Sequence, residues 1–588
     1  MKHDTVAIPR PEHPEPQWER RNWKSLNGEW QFEIDSAVSG EARGLHQADS
    51  LVQRIMVPFC PESSLSGIQN TDFMLQVWYK RNVEFDLPAL KNKRVILHFG
   101  AADYKTTVWI NGKKAGEPHV GGQSAFSYDI TPLLLDGANV ITVACFDDTR
   151  AVQPNGKQSR SYRSTVCHYT RTTGIWQTVW YEIVPESYIL SARYDTDIEN
   201  GILSVTAELC GKGDLGIEVY YEGKKVGEGF KRAQNQVAHM EIVLSETHLW
   251  ELGNGRLYDL VLRFGEDEVF SYFGMRHVEL RDGKFYLNGK SVFQRLVLDQ
   301  GFYADGIWTA PTEECLYRDI DLAMEAGFNG ARFHQKVFEP RSFYYADKRG
   351  YLVWCEAANS GMDYSDMATL NEFLSPWLDT MKQRYNHPCI ITWCPVNETW
   401  DSGPLKKRAD PRFVRAAYTE TKRYDPTRPC VDTSGLYHVI TDIFDVHDYE
   451  QDHEVFKARY DELAQGVINN KYSSRQVWNG EPFMVSEFGG IGYKMEHNGY
   501  SGGRKTPWCH RNVWSPEEFY DAYQKWVDVM LDNPRIFGFC YTQLTDVEQE
   551  QNGFFEYATR RPKVDLAPLY AINQRKAAVE ISDMEQSC

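Results

Sequence analysis

The hydrophobic positions of this chain change their period part-way along. Up to residue 184 they fall in short alternating runs, Trp30 to Ile34, Trp78 to Phe85, Arg94 to Gly100, Thr106 to Ile110 and Asn139 to Asp147, set apart by turn residues. Such runs predict strands with one buried face. Asn111-Gly112 lies between Val108-Trp109-Ile110 and Lys113-Lys114-Ala115, a hairpin signal because both residues tolerate positive φ. The pattern predicts a jelly-roll β-sandwich over residues 1–184. Within it Ser161 to Gly174, S-Y-R-S-T-V-C-H-Y-T-R-T-T-G, is too long for a simple turn, and loops of that length are often functional. Alternation continues at Leu203 to Leu209, Gly216 to Tyr221, Gln236 to Leu244 and Leu257 to Phe264, which predicts a small immunoglobulin-like sandwich over 185–278.

From Glu279 apolar runs alternate with helical periodicity. Expected strands are Ser291 to Leu298, Gly330 to His334, Tyr351 to Glu356, Ile390 to Glu398, Cys430 to Ser434, Ile443 to Asp448, Phe483 to Glu487 and Ile536 to Leu544. Expected helices are Thr312 to Ala326, Met367 to Tyr385, Pro411 to Tyr424, Glu454 to Ala464 and Pro516 to Leu531. Eight such units predict one (β/α)8 barrel, a TIM barrel, over 279–588. The fold class is therefore multidomain: jelly roll, immunoglobulin-like sandwich and barrel.

Two barrel strands end on a carboxylate. Ile390 to Trp400 reads I-I-T-W-C-P-V-N-E-T-W and Phe483 to Gly490 reads F-M-V-S-E-F-G-G, so Glu398 and Glu487 both stand at the strand ends where a barrel keeps its chemistry. Two such carboxylates suit glycoside hydrolysis, one protonating the leaving oxygen while the other attacks the anomeric carbon or activates water. Either glutamate alone is equally well an ordinary loop residue; the pair favours function.

Composition narrows the partners. A net charge of −18 and a pI near 5.4 argue against nucleic acid and anionic membrane. The N-terminus has no apolar signal region and no apolar run approaches the ~18 residues of a membrane span, so the expected location is cytoplasmic. The twelve cysteines form no C-x-x-C pair, so neither a zinc site nor a redox motif is expected, and no metal or cofactor is implied. With 17 Trp and 33 Tyr the chain has rings for packing and for stacking on sugar faces. A homo-oligomer is left open.

The ordered motifs resemble glycoside hydrolase family 2, the family of β-galactosidases, β-glucuronidases and β-mannosidases. They are W-Y-K-R at Trp78 to Arg81, V-W-I-N-G at Val108 to Gly112, T-G-I-W-Q-T-V-W at Thr173 to Trp180, G-F-N-G-A-R-F-H at Gly327 to His334, Y-Y-A-D-K-R-G-Y-L-V-W at Tyr344 to Trp354, and then N-H-P, V-N-E and S-E-F-G-G. The resemblance implies Glu398 as general acid/base and Glu487 as nucleophile of a retaining double displacement. It implies that Asn397 bonds the sugar 2-hydroxyl and that Tyr449 bonds the nucleophile. Arg332 is expected to orient Glu487, and His334, Asp299 and Asp546 are candidates for sugar hydroxyls. Tyr541 stands where many relatives have Trp, at the floor of the subsite. His168 and Arg171 are expected to reach the barrel mouth from the first domain.

One departure matters for the sugar. The N-x-K signature with which β-glucuronidases bind the substrate carboxylate is replaced here by E-Q-N at Glu550 to Asn552, with no lysine. On that ground a glucuronidase is disfavoured. The expectation is an exo-acting retaining β-glycosidase on a neutral sugar, β-galactosidase-like, with galactofuranoside and arabinoside specificities as alternatives. A non-catalytic carbohydrate-binding protein is the rival from another class.

Overall fold

The computed structural model describes residues 8–233, 235–399, 408–470, 473–493 and 508–581. Trp400, the last residue of the I-I-T-W-C-P-V-N-E-T-W stretch, lies outside them. The first sandwich packs a four-stranded sheet (Trp23–Ser25, Val179–Pro185, Lys93–Phe99, Phe126–Asp129) on a seven-stranded one centred on Gln76–Phe85 and Gly137–Phe146. Leu97, Phe99, Tyr79 and Val143 are among the apolar residues that fill the space between them. The Asn111-Gly112 turn is present, with φ of 53° and 77°, joining Lys105–Ile110 to Lys113–Lys114. Both values are positive, which is the backbone requirement of a tight hairpin turn. The second sandwich sets a three-stranded sheet against a four-stranded one. Its strand Ile202–Cys210 alternates buried and half-buried residues along its whole length, as a sheet with one core face must.

The barrel strands are β1 (Gln294–Asp299), β2 (Gly330–Phe333), β3 (Leu352–Glu356), β4 (Ile390–Cys394), β5 (Phe444–Asp448), β6 (Phe483–Gly489) and β7 (Ile536–Thr542). They form one parallel sheet in the order β4-β3-β2-β1-β7-β6-β5. β1, β2, β3, β4, β6 and β7 are buried at every position, the continuous apolar texture of strands covered on both faces. The eighth expected strand, Cys430 to Ser434, makes two parallel bridges to the β4 segment, Trp393 with Cys430 and Asn397 with Ser434, in place of a ladder. This closes the gap between β4 and β5.

The surrounding helices are α1 (Glu313–Glu325), α2 (Pro340–Arg349), α3 (Leu370–Arg384), α4 (Pro411–Tyr424), α5 (His453–Ala464), α6 (Pro516–Leu531) and α7 (Leu566–Asn573). α2 and α7 were not among the expected helices. α2 is delimited by Pro340 at its first turn and by Gly350 at φ 62° after its end, the start and stop residues that suit those positions. Among the described residues no helix is long and apolar enough to cross a membrane.

The segment between Asp147 and Gly174 carries the first sandwich onto the barrel mouth. Asn155 N donates to Ser360 O (2.8 Å) and Gly156 N to Ala358 O (2.9 Å). On the other side Thr170 N donates to Glu548 Oε1 (3.0 Å), and Gln549 Nε2 donates to the carbonyls of Val166 (2.7 Å) and His168 (3.1 Å).

Candidate active site

The site is built from the exits of β2, β4, β5 and β6. Beyond β4 the chain passes Pro395 and stays bonded to its neighbour: Ser434 N donates to Val396 O (2.8 Å) and Glu398 N to Ser434 O (3.1 Å). These bonds hold Glu398 at φ 51°, a region that residues other than glycine seldom adopt. Such strain costs about 1–3 kcal/mol and persists where surrounding contacts impose it. Glu487 stands in β6, whose residues are all buried. One donor atom from each of Glu398, His447 and Glu487 lies within 4.8 Å of the others. Such a trio is able to ligate a divalent cation, but its atoms are engaged with one another. His447 Nδ1 is 2.7 Å from Glu398 Oε1 and 3.3 Å from Glu487 Oε2.

Arg332, on β2 and fully buried, organises the Glu487 side. Its Nε donates to Glu356 Oε1 (2.6 Å), Nη1 to Glu487 Oε1 (3.1 Å) and Ser486 O (2.8 Å), and Nη2 to Asn397 Oδ1 (2.7 Å). The other oxygen of Glu487 accepts from the Tyr449 hydroxyl (2.6 Å), which also lies 2.9 Å from the Thr542 hydroxyl. Burial by itself would raise the Glu487 carboxyl. His447, Arg332, His334 and Lys157 outweigh it and hold the group well below the usual carboxylate range. Asn397 has its carbonyl oxygen tied to Arg332, while its buried amide nitrogen has no hydrogen-bond partner among the described residues. A buried donor without a partner carries a desolvation cost of about 1–3 kcal/mol, which a bound hydroxyl would offset. His334 Nδ1 is 2.9 Å from Glu356 Oε2, so Glu356 ties Arg332 and His334 into one network.

The model of the sugar binding domain of glycosyl hydrolases family 2 matches residues 66–179, and the model of that family's TIM barrel domain matches residues 278–543. The chain belongs to glycoside hydrolase family 2. The family 2 chain is 26% identical, over 382 residues, to a putative β-glucuronidase of Formosa agariphila, covering 60% of this chain and 44% of that protein. It is 22% identical to a β-glucuronidase of Streptococcus agalactiae over 64% of this chain and 67% of that one. A β-glucuronidase structure from an uncultured Clostridium has the same fold, with a TM-score of 0.77 and 20% identity over 95% of this chain and 98% of the other. The chain thus spans less than half of the length of the first of these relatives.

These relatives correct one expectation. A neutral, β-galactosidase-like sugar was expected and a glucuronidase disfavoured; yet β-glucuronidases stand ahead of the β-galactosidases of Lactococcus lactis and Oenococcus oeni in similarity. The missing N-x-K lysine is a real feature of the sequence, but a cation need not come from that motif. Lys157, on the loop from the first sandwich, is 8% exposed and interacts electrostatically with Glu398, Glu487 and Glu550.

In this family 2 barrel several further candidates have their polar atoms taken up by the protein. Asp546 Oδ1 accepts from Lys563 Nζ (2.8 Å) and Gly553 N (2.9 Å). Asp299 Oδ1 accepts from Gly301 N (2.9 Å), and burial, followed by repulsion from Asp319, pushes its carboxyl up to about 7. The Tyr541 hydroxyl accepts from Ile491 N (3.2 Å) and donates to Asn552 O (3.2 Å) within the barrel core. Arg171 donates to the carbonyls of Ser159 (3.2 Å), Ser161 (2.6 Å) and Thr71, so it braces its own loop. These four thus make contacts within the protein that shape the barrel mouth. His168 does meet the barrel, through its carbonyl, while burial lowers its imidazole to about 4.

Four residues near the two glutamates had not been expected there in these roles: His447, Glu356, Lys157 and Glu550. His447 precedes Tyr449 by two positions in V-H-D-Y and was visible as part of that motif. Glu356 was visible only as the last residue of an apolar run. Lys157 had no signal, because its place depends on how a distant loop docks.

Proposed function

We propose that this protein hydrolyses terminal β-glucuronides with retention of anomeric configuration. The observation that carries the reaction type is the carboxylate pair: oxygens of Glu398 and Glu487 within 4.8 Å of one another. A retaining pair is set about 5–5.5 Å apart and an inverting one about 6.5–9.5 Å. The sugar follows the named activity of the relatives.

The surroundings support a division of roles. Glu487 faces Arg332, His447 and the Tyr449 hydroxyl, so it stays ionised and serves as nucleophile. Glu398 faces His447 and is bonded by neither Arg332 nor Tyr449, so it serves as acid and then base. In the first step a Glu487 oxygen bonds the anomeric carbon as the bond to the aglycone oxygen breaks, and the Glu398 proton goes to that oxygen. In the second step Glu398 takes a proton from water, whose oxygen bonds the anomeric carbon and frees Glu487. The free Asn397 amide donates to the 2-hydroxyl, a contact that strengthens in the transition state. Carbohydrate is accordingly the partner, and no cofactor enters the steps.

Kinetics on p-nitrophenyl β-D-glucuronide, galactoside, glucoside and mannoside, with the first-formed anomer followed by NMR, tests this. Glucuronide with β product is the expected result. A neutral sugar as best substrate overturns the sugar, and α product overturns the pair of roles.

A further inference from the structure

We propose that Lys157 binds the C6 carboxylate of the substrate, a cation brought to the barrel by the first sandwich instead of by the barrel's own loop. This rests on the glucuronide reading above. Lys157 is over nine-tenths buried, and among the described residues its ammonium has no hydrogen-bond or ion-pair partner. Its three donors are thus left for a carboxylate of the substrate.

Its loop is anchored at the barrel mouth. Asn155 and Gly156 bond the chain after β3, as described above, and Tyr169 N donates to the Lys157 carbonyl (2.8 Å). The Tyr169 hydroxyl donates to Glu550 beyond β7. Gly156 has φ of 61° and lies so close to the barrel that a Cβ there would come 2.3 Å from the Gln335 carbonyl oxygen. Lys157 is therefore held between the exits of β2 and β3 on one side and that of β7 on the other. Burial opposes its charge, but Cys167, Glu398, Glu487 and Glu550 hold the ammonium above the usual lysine range. The lysine is thus available as a cation across the working pH.

The first sandwich would in this way help to select the sugar. A glucuronide and a glucoside differ at C6 alone, carboxylate against hydroxymethyl, so their ratio isolates the contact. For Lys157→Met the ratio of kcat/KM, glucuronide over glucoside, should fall on the order of 100-fold, the range of a hydrogen bond to a charged group. Lys157→Arg should keep more of the preference than Lys157→Met, and inhibition by D-glucuronic acid should weaken while that by D-glucose changes less. Thermal melts of each variant show whether the fold is kept, and the ratio is taken within one enzyme, so loss of active protein cancels. A wild type that prefers the glucoside overturns the glucuronide reading and this proposal together. A wild type that prefers the glucuronide, with Lys157→Met reducing both substrates equally, overturns the role of Lys157 alone.

Discussion

Glu487 has the most heavily compensated charge in the site, and its neighbours fix what single substitutions should do. Removing the Tyr449 hydroxyl takes one donor from a carboxylate oxygen 2.6 Å away. A hydrogen bond to a charged group contributes about 1.5–3 kcal/mol, so Tyr449→Phe should lower kcat by roughly 10- to 100-fold. The same loss raises the Glu487 pKa, and the acid limb of the kcat/KM profile should move to higher pH. A profile unchanged in position would show that Tyr449 does not act on Glu487. Glu550 is the opposite case. Burial, only partly offset by the Tyr169 hydroxyl and Lys157, pushes it up to about 7 from 4.5. A carboxyl raised in the fold favours the folded state fully below 4.5 and loses that contribution as pH rises through about 7. Glu550→Gln should therefore match the wild type in stability at pH values near 4.5 and exceed it above pH 7 by about 1–3 kcal/mol. Denaturant melts at both ends of that window check it; a constant difference would place the effect elsewhere.

At the scale of elements, the segment between β4 and β5 decides the geometry. Gly435 has φ of 81°, and a Cβ there would lie 2.0 Å from His447 Cδ2. Gly435→Ala must displace this ring from its place beside Glu398 and Glu487, and activity should fall by at least about 10-fold while the melting temperature drops by several degrees. Full activity in that variant would mean that His447 has no part in positioning the pair. The barrel elements show how far the sequence could be read. Helices α4 and α6 have the bounds expected from their periodicity, because proline starts each of them and an amphipathic face continues to the end. Glu398 and Glu487 were visible as carboxylates at the ends of apolar runs. The Cys430 to Ser434 run has a strand's composition yet makes bridges in place of a ladder, and nothing local records that. His447 is informative only once β5 is set beside β6. Lys157 and Glu550 are 393 positions apart, and their meeting depends on the docking of two domains. Reading E-Q-N without that docking left Lys157 out of view.

At the scale of the whole molecule, buried ion pairs lock the pieces together. Arg20, near the N-terminus, bonds Glu182 of the first sandwich (2.7 Å) and both oxygens of Asp267 of the second (2.9 Å each). Removing one partner of a buried pair leaves an uncompensated charge and costs about 3–5 kcal/mol. Arg20→Met should destabilise the protein by that amount, measured by chemical denaturation, with the preference among glycosides unchanged. A change of preference without loss of stability would contradict the separation between this seam and the site.

The proposed reaction turns on a covalent bond from Glu487 to a glucuronyl carbon. A 2-deoxy-2-fluoro-β-D-glucuronyl fluoride tests both at once. The 2-fluorine slows both steps by destabilising the oxocarbenium-like transition state, while the fluoride leaving group keeps the first step fast enough for the ester to accumulate. Peptide mass spectrometry after exposure to this reagent should find one 2-fluoroglucuronyl group on Glu487, with Glu398→Gln still labelled and Glu487→Gln unlabelled. A label on Glu398, or labelling by the glucosyl reagent with none by the glucuronyl one, would contradict it.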